Sequence, residues 1–493
     1  MQYSAEDKTM SGESTSRRNF LRQLSCALCA GGASTLLPQL NLIGSALAQT
    51  TVPGYKALVC VYFAGGNDAW NLLMPYDQAR YDVYAASRSG VYNSSSNPGG
   101  LAIARTALAA TQISDTSGSY ALHPSCVDRS GPSQPGLRSL YNQGKLALIS
   151  NIGTLIRPIS KAEYNSTPSL RPPQLYSHSD QENLWHIGRT SSSARGWGGQ
   201  IADLVRSGNL NQVLSPCISI GGGNRFEIGA STFPYQMSSN GVTNVSGTGT
   251  TGASFQRAVA LQQMLDASYP SPYQDEYARI LGRSRDLYSL LNSGLASGGI
   301  GNVNTDFPTQ NSLADQLKMV ARMIKLSRDT SFNIQHARQI YYVRIGGFDM
   351  HDNLMSTGTN GHANLLTRVS QALGAFWTAL GEIGAQNQVT TFTMSEFART
   401  LSTNGNGSDH AWGSVNMIMG GAVQGGRIYG AFPEQTLNGP VSLSRGQFIP
   451  STSVDQMAAT LARWMGVTAS GDLDTIFPNL ANFPSSNLGF MQP

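Results

Sequence analysis

The run Tyr55–Ala64, YKALVCVYFA, constrains this chain more than any other stretch. It is apolar almost without interruption. A strand with one wet face alternates apolar and polar residues, whereas a strand buried on both faces of a parallel sheet does not. The run therefore predicts an interior strand. Comparable runs recur at Leu146–Asn151 (LALISN), Arg338–Ile345 (RQIYYVRI), Val389–Thr393 (VTTFT) and Val415–Met419 (VNMIM). Helical patterns lie between them, at 136–143, 257–291, 313–328, 363–383 and 453–465, the last capped by Ser451 or Ser453. Strands alternating with helices make the class α/β with a mostly parallel sheet. Charged residues are only 13% and glycines number 53, as in a globular chain with many loops. Residues 76–135 read as polar and loop-rich, and 221–256 as a Gly/Ser-rich insertion, either a long loop or a small edge-strand subdomain.

The N-terminus carries a separate signal. Ser16-Arg17-Arg18-Asn19-Phe20-Leu21 is a twin arginine followed by Phe-Leu, and a weakly apolar stretch closes at Ala46-Leu47-Ala48. This reads as a twin-arginine signal peptide over 1–48, leaving a mature domain over 49–493. Gly31-Gly32, Pro38 and Asn41 interrupt the stretch, which makes it a poor transmembrane span. No other apolar run reaches that length, so no transmembrane segment is expected in the mature chain. The expected location is periplasmic or secreted, with the twin-arginine export machinery as a partner. That route carries proteins already folded, often with a metal loaded. Cleavage removes four basic and three acidic side chains and leaves a formal charge of +3. With no basic cluster interleaved with aromatics, nucleic acid is not an expected partner. Cys60, Cys126 and Cys217 remain, an odd number without metal-motif spacing.

Four segments at strand ends carry similar side chains: Asp68, Asp349 with His351, Glu396, and Asp409 with His410. Divalent cations take carboxylate oxygen and imidazole nitrogen, and chemistry in open α/β sheets collects at the carboxyl ends of strands. Together they predict a site for one or two divalent ions, Zn, Ca, Mg or Mn. Singly, each also has an ordinary use: Asp68 as a helix cap, Glu396 as a partner of Arg399, His351 as a loop histidine. His362, at a helix start, reads as a cap or an exposed residue. His123 and His186 read as structural or rim residues, and His336 as an ordinary helix residue. Ser179 opens a helix in Ser177-His178-Ser179-Asp180 and is the candidate nucleophile, although Ser179 with Glu182 also makes a capping-box pattern.

Seven segments, GGNDAWNLL, RPPQLYSHSDQ, GWGGQIAD, GGFDMHDN, TMSEFARTL, SDHAWG and GGAVQGGRIYG, resemble a large family of bacterial twin-arginine-exported proteins known as a domain of unknown function. That family is placed in the alkaline phosphatase/sulfatase superfamily. The resemblance implies a three-layer α/β/α sandwich, alkaline phosphatase-like, with metal at the strand ends. It implies that Asp68 stands for the first-strand metal Asp, Asp349 and His351 for a ligand pair, and His410 for the last metal histidine. Glu396 stands where an Asp-His pair is usual, with Phe397 in place of that histidine. The expected function is hydrolysis of phosphate or sulfate esters on a small-molecule or glycan substrate. The alternative is a degenerate binding or assembly protein that keeps a structural metal site.

Overall fold

The computed structural model describes residues 54–131, 133–188 and 195–492. The signal segment, 1–48, lies outside the described residues. No described helix is long and apolar enough to cross a membrane.

The core is one nine-stranded sheet. Its strands in chain order are β1 (Lys56–Phe63), β2 (Leu146–Gly153), β3 (Cys217–Ser219), β4 (Tyr235–Gln236), β5 (Arg338–Ile345), β6 (Val389–Met394), β7 (Ser414–Gly420), β8 (Ile428–Tyr429) and β9 (Thr452–Ser453). Their spatial order is β8-β2-β7-β6-β1-β5-β3-β4, with β9 also paired to β2. Only β7 runs antiparallel to its neighbours, β2 and β6. The expected mostly parallel sheet is therefore present, with one antiparallel strand. The long strands are buried from end to end, apart from Arg344 and the half-buried Lys56. That double burial explains their unbroken apolar sequences.

Alternate side chains of β1 enter two cores. Ala57, Val59, Val61 and Phe63 pack with helices α5 (Ser312–Arg328) and α6 (His362–Glu382). Leu58, Cys60 and Tyr62 pack with α1 (His178–Ile187), α2 (Trp197–Val205) and α7 (Val454–Met465). The molecule is thus a three-layer α/β/α sandwich. The helix boundaries have local causes. Asn311 caps α5 by accepting from the Ala314 N–H, and Lys325 and Arg328 occupy its last turn. Ser453, not Ser451, caps α7 in a capping box with Gln456, and Gly466, at φ +112°, ends it.

Three expectations need correction. The 257–291 pattern is two helices, α3 (Gly252–Asp266) and α4 (Pro272–Leu295), which pair with each other; α3 buries none of its residues. Residues 76–135 include a helix, Gln78–Ser87, and two strands, Gln112–Asp115 and Gly118–Leu122, which form a three-stranded sheet with Leu73–Pro75. His336 is not helical; it precedes β5, buried, with Nε2 2.9 Å from the Asn211 carbonyl oxygen.

Candidate metal centre

The register aligns Phe63 with Ile345 and Tyr62 with Met394, so the chain leaves β1, β5 and β6 at one level. Because β7 runs the other way, the connection from β6 to β7, residues 395–413, begins and ends at that same edge. Gly65 holds the first two loops together. Its φ is +120°, and a Cβ there would lie 2.2 Å from the Asp349 backbone nitrogen. Only glycine permits that approach. The Gly65 N–H donates to Glu396 Oε1 at 2.7 Å.

Three histidines converge at this edge. His178 Nδ1 lies 2.8 Å from Glu396 Oε1, His351 Nδ1 2.9 Å from Asp409 Oδ1, and His410 Nδ1 2.7 Å from the Tyr176 carbonyl oxygen. Each partner is an acceptor, which assigns the proton to Nδ1 in every ring and leaves each Nε2 with its lone pair. The three Nε2 atoms lie around Asp349: His351 at 3.1 Å from Oδ1, His410 at 3.4 Å from Oδ1, and His178 at 3.5 Å from Oδ2. Nε2 of His351 and Nε2 of His410 are 2.9 Å apart. Lone pairs facing one another and a carboxylate repel unless a cation lies between them. The spacings suit donors that each sit ~2.0–2.2 Å from one ion. A carboxylate or carbonyl on the far nitrogen is the usual way a ligating histidine is oriented. The residues present therefore fit a divalent ion held by His178, His410 and Asp349, with His351 Nε2 beside the same carboxylate.

The surroundings reinforce the arrangement. Arg399 is fully buried; it donates to the carbonyls of Gly65, Gly66 and Ser408 and to Asp349 Oδ1. Burial works to raise the Asp349 carboxyl, but the hydrogen bond and charge of Arg399 outweigh it and hold the group below its ordinary value. The hydrogen bond to Glu396 raises His178 above the ordinary histidine value, against burial. Burial lowers His410, and the charges of Arg399, His178 and His351 add to that, against the Tyr176 hydrogen bond. The Phe397 ring stacks on His410 at 4.4 Å and tilts against His178 at 4.8 Å, forming an apolar floor. The other side is open: the side chains of Asp349 and His351 are 48% and 46% exposed.

Of the residues expected to ligate, Asp349, His351 and His410 do meet. Glu396 and Asp409 stand one step back, each holding a histidine; Asp409 also pairs with Arg445. Asp68 is not among them. It is buried against Arg88, whose Nη2 lies 2.5 Å from its Oδ2, so its charge is already neutralised. Ser179 is exposed, and its hydroxyl contact is Ser177 Oγ at 3.4 Å. The helix cap is Ser177, bonded to Asp180, rather than Ser179 with Glu182. His362 is buried rather than exposed, with Nε2 3.0 Å from Asn67 Oδ1. Sequence reasoning passed over His178, which belongs to the same YSHSD segment that drew attention to Ser179.

Residues 320–470 match a family described as "Protein of unknown function (DUF1501)". No curated protein matches the chain. Among solved structures, the chain is similar to Ps i-CgsB in complex with k-i-k-neocarrahexaose, at 10% identity, with 87% of this chain and 77% of that one covered and a TM-score of 0.33. It is also similar to the PsFucS1 sulfatase from Pseudoalteromonas sp., at 10% identity, with 87% and 72% covered and a TM-score of 0.30.

Proposed function

We propose that this protein is an exported metal-dependent hydrolase of phosphate or sulfate esters, built on a single ion rather than two. The observation that carries the reading is the convergence of three Nε2 lone pairs on Asp349 at a half-exposed face, each ring fixed through its Nδ1. A closed structural site has no open side; this one does. A donor set of imidazole nitrogens with one carboxylate favours Zn over Ca or Mg, which prefer oxygen donors. When bound, such an ion supplies Lewis acidity, which polarises an ester oxygen and acidifies water.

The chain supplies the rest. Glu396 and Asp409 keep the Nδ1 protons of His178 and His351 away from the site. Arg399 holds Asp349 ionised and in place. Arg445, 43% exposed beside Asp409, gives an anionic substrate a cation at the rim. Ser179 has no part in this reading, so water is the nucleophile. Export rests on Arg17 and Arg18; changing both to Lys is expected to retain the protein in the cytoplasm, as read by fractionation.

Elemental analysis of the purified mature protein tests the centre. About one equivalent of a divalent metal is expected, falling below a tenth in Asp349→Ala/His410→Ala. The loaded protein is expected to hydrolyse aryl phosphates or sulfates, and the variant not to. A second reading, a binding or assembly protein with a metal centre, draws on the absence of Ser179 from the cluster. Full metal occupancy with no turnover of either ester class would favour it; no metal in either protein would sink both.

A further inference from the structure

At the opposite end of the sheet, one strand length from the metal centre, lies a cleft of about 750 Å³. At roughly 3.3 Å per residue, the eight residues of β1 separate the two by ~26 Å. Three cations from three segments line it: Lys56 at the start of β1, Lys145 just before β2, and Arg463 in the last turn of α7. None of the described residues that line it is acidic. Lys56 Nζ is held 2.8 Å from the Trp464 carbonyl oxygen and lies 5.1 Å from that ring's centroid. Arg463 donates to the Ser486 hydroxyl at 2.7 Å, with Asp474 the acid that acts on it from outside the cleft. The Lys145 side chain has no hydrogen-bond or ion-pair partner among the described residues. A fourth cation, Arg338, is buried nearby at the start of β5 and bonds only to carbonyls, those of Gly54, Ala337 and Met465. Burial of Lys56, and after it the Arg338 charge, depresses the Lys56 ammonium below its ordinary value.

Like charges gathered in a concave, partly desolvated place repel, and the described residues place no carboxylate in the cleft to offset them. The side-chain amides of Asn387, Asn487 and Gln492 add neutral donors to the same walls. The volume is that of a pocket for a small molecule rather than for a lone ion. We propose that this cleft binds a small polyanion bearing phosphate or sulfate groups, at a site separate from the metal centre.

Calorimetric titration at constant ionic strength tests this on the metal-loaded protein, with fructose 1,6-bisphosphate in one arm and a sulfated disaccharide in the other. One of the two is expected to bind with a dissociation constant below about 1 mM. Lys145→Met is expected to weaken it about tenfold or more with its melting curve unchanged, and Arg463→Gln, which also loses its bonds to Ser486, to weaken it likewise. His351→Ala/His410→Ala is expected to leave it intact. No heat from either anion, binding that survives both cleft substitutions, or binding lost with the histidine pair would each overturn the proposal.

Discussion

At the scale of single residues, the carboxylates expected to do one job do three. Asp349 faces the histidines, Glu396 and Asp409 hold them from behind, and Asp68 neutralises a buried arginine. The roles predict different losses. Glu396→Gln keeps an Oε1 acceptor for the Gly65 N–H and the His178 Nδ1–H but removes the negative charge behind the ring. Metal affinity is expected to fall about 10- to 100-fold, measured by competition with a chelating dye, with little change in folding. Asp68→Ala strands the fully buried Arg88. Denaturant titration is expected to show a loss of about 3–5 kcal/mol, while metal content per folded molecule stays constant. Metal loss in Asp68→Ala without destabilisation would return that residue to the site. The sequence showed Asp349 and His351 because they stand a few residues beyond an apolar run, and His410 because it stands just before one. It could not show that Arg88 returns to Asp68, or that His178 reaches Glu396 across 218 residues, since both are tertiary contacts. His178 was further masked by Ser177 and Ser179, whose capping chemistry is a sufficient local reason for the segment.

At the scale of elements, the strands were the most legible part. Double burial writes itself into sequence as unbroken apolar runs, and the five long strands lie where those runs lie. The short strands β3, β4, β8 and β9, of two or three residues, have too few positions to show any period. Helix interiors were legible by spacing, but not what they meet. Gly374 in α6 illustrates this: a Cβ there would lie 2.0 Å from the Pro135 carbonyl oxygen. Helix propensity alone predicts that Gly374→Ala stabilises by ~1 kcal/mol, but the backbone contact reverses the sign to a loss of about 1–3 kcal/mol. Gly282 in α4 meets nothing within 4 Å, so Gly282→Ala is expected to raise stability by up to ~1 kcal/mol. Urea midpoints that shift the same way for both would refute the packing argument.

At the scale of the whole molecule, the interior fixes how the protein answers to acid. Burial holds His123, His186 and His362 down at about 3; the charges of neighbouring His362, Arg344 and Arg88, respectively, add to the effect. Each is neutral when folded and takes up a proton on unfolding below the ordinary value of 6.5. Their contribution is therefore complete above pH 6.5 and is lost as pH falls toward 3. With ~1.4 kcal/mol per pH unit per group, the three together cost at most about 4 kcal/mol by pH 5.5. Unfolding free energies measured from pH 7.5 to 5 are expected to fall accordingly, and His186→Phe to flatten the slope by about a third. An unchanged slope in that variant would mean that His186 is already charged in the native state.

The reversed strand β7 has one more consequence. Because the chain leaves β6 and enters β7 at one edge, the stretch 395–413 never crosses the body of the protein. It nonetheless carries Glu396, Phe397, Arg399, Asp409 and His410. Half of the centre is thus a single removable cassette, anchored by two adjacent strands. A graft of that cassette between the corresponding strands of a sister chain would transfer those five residues in one exchange, and leave the recipient to supply only the histidines and the aspartate from its other two loops.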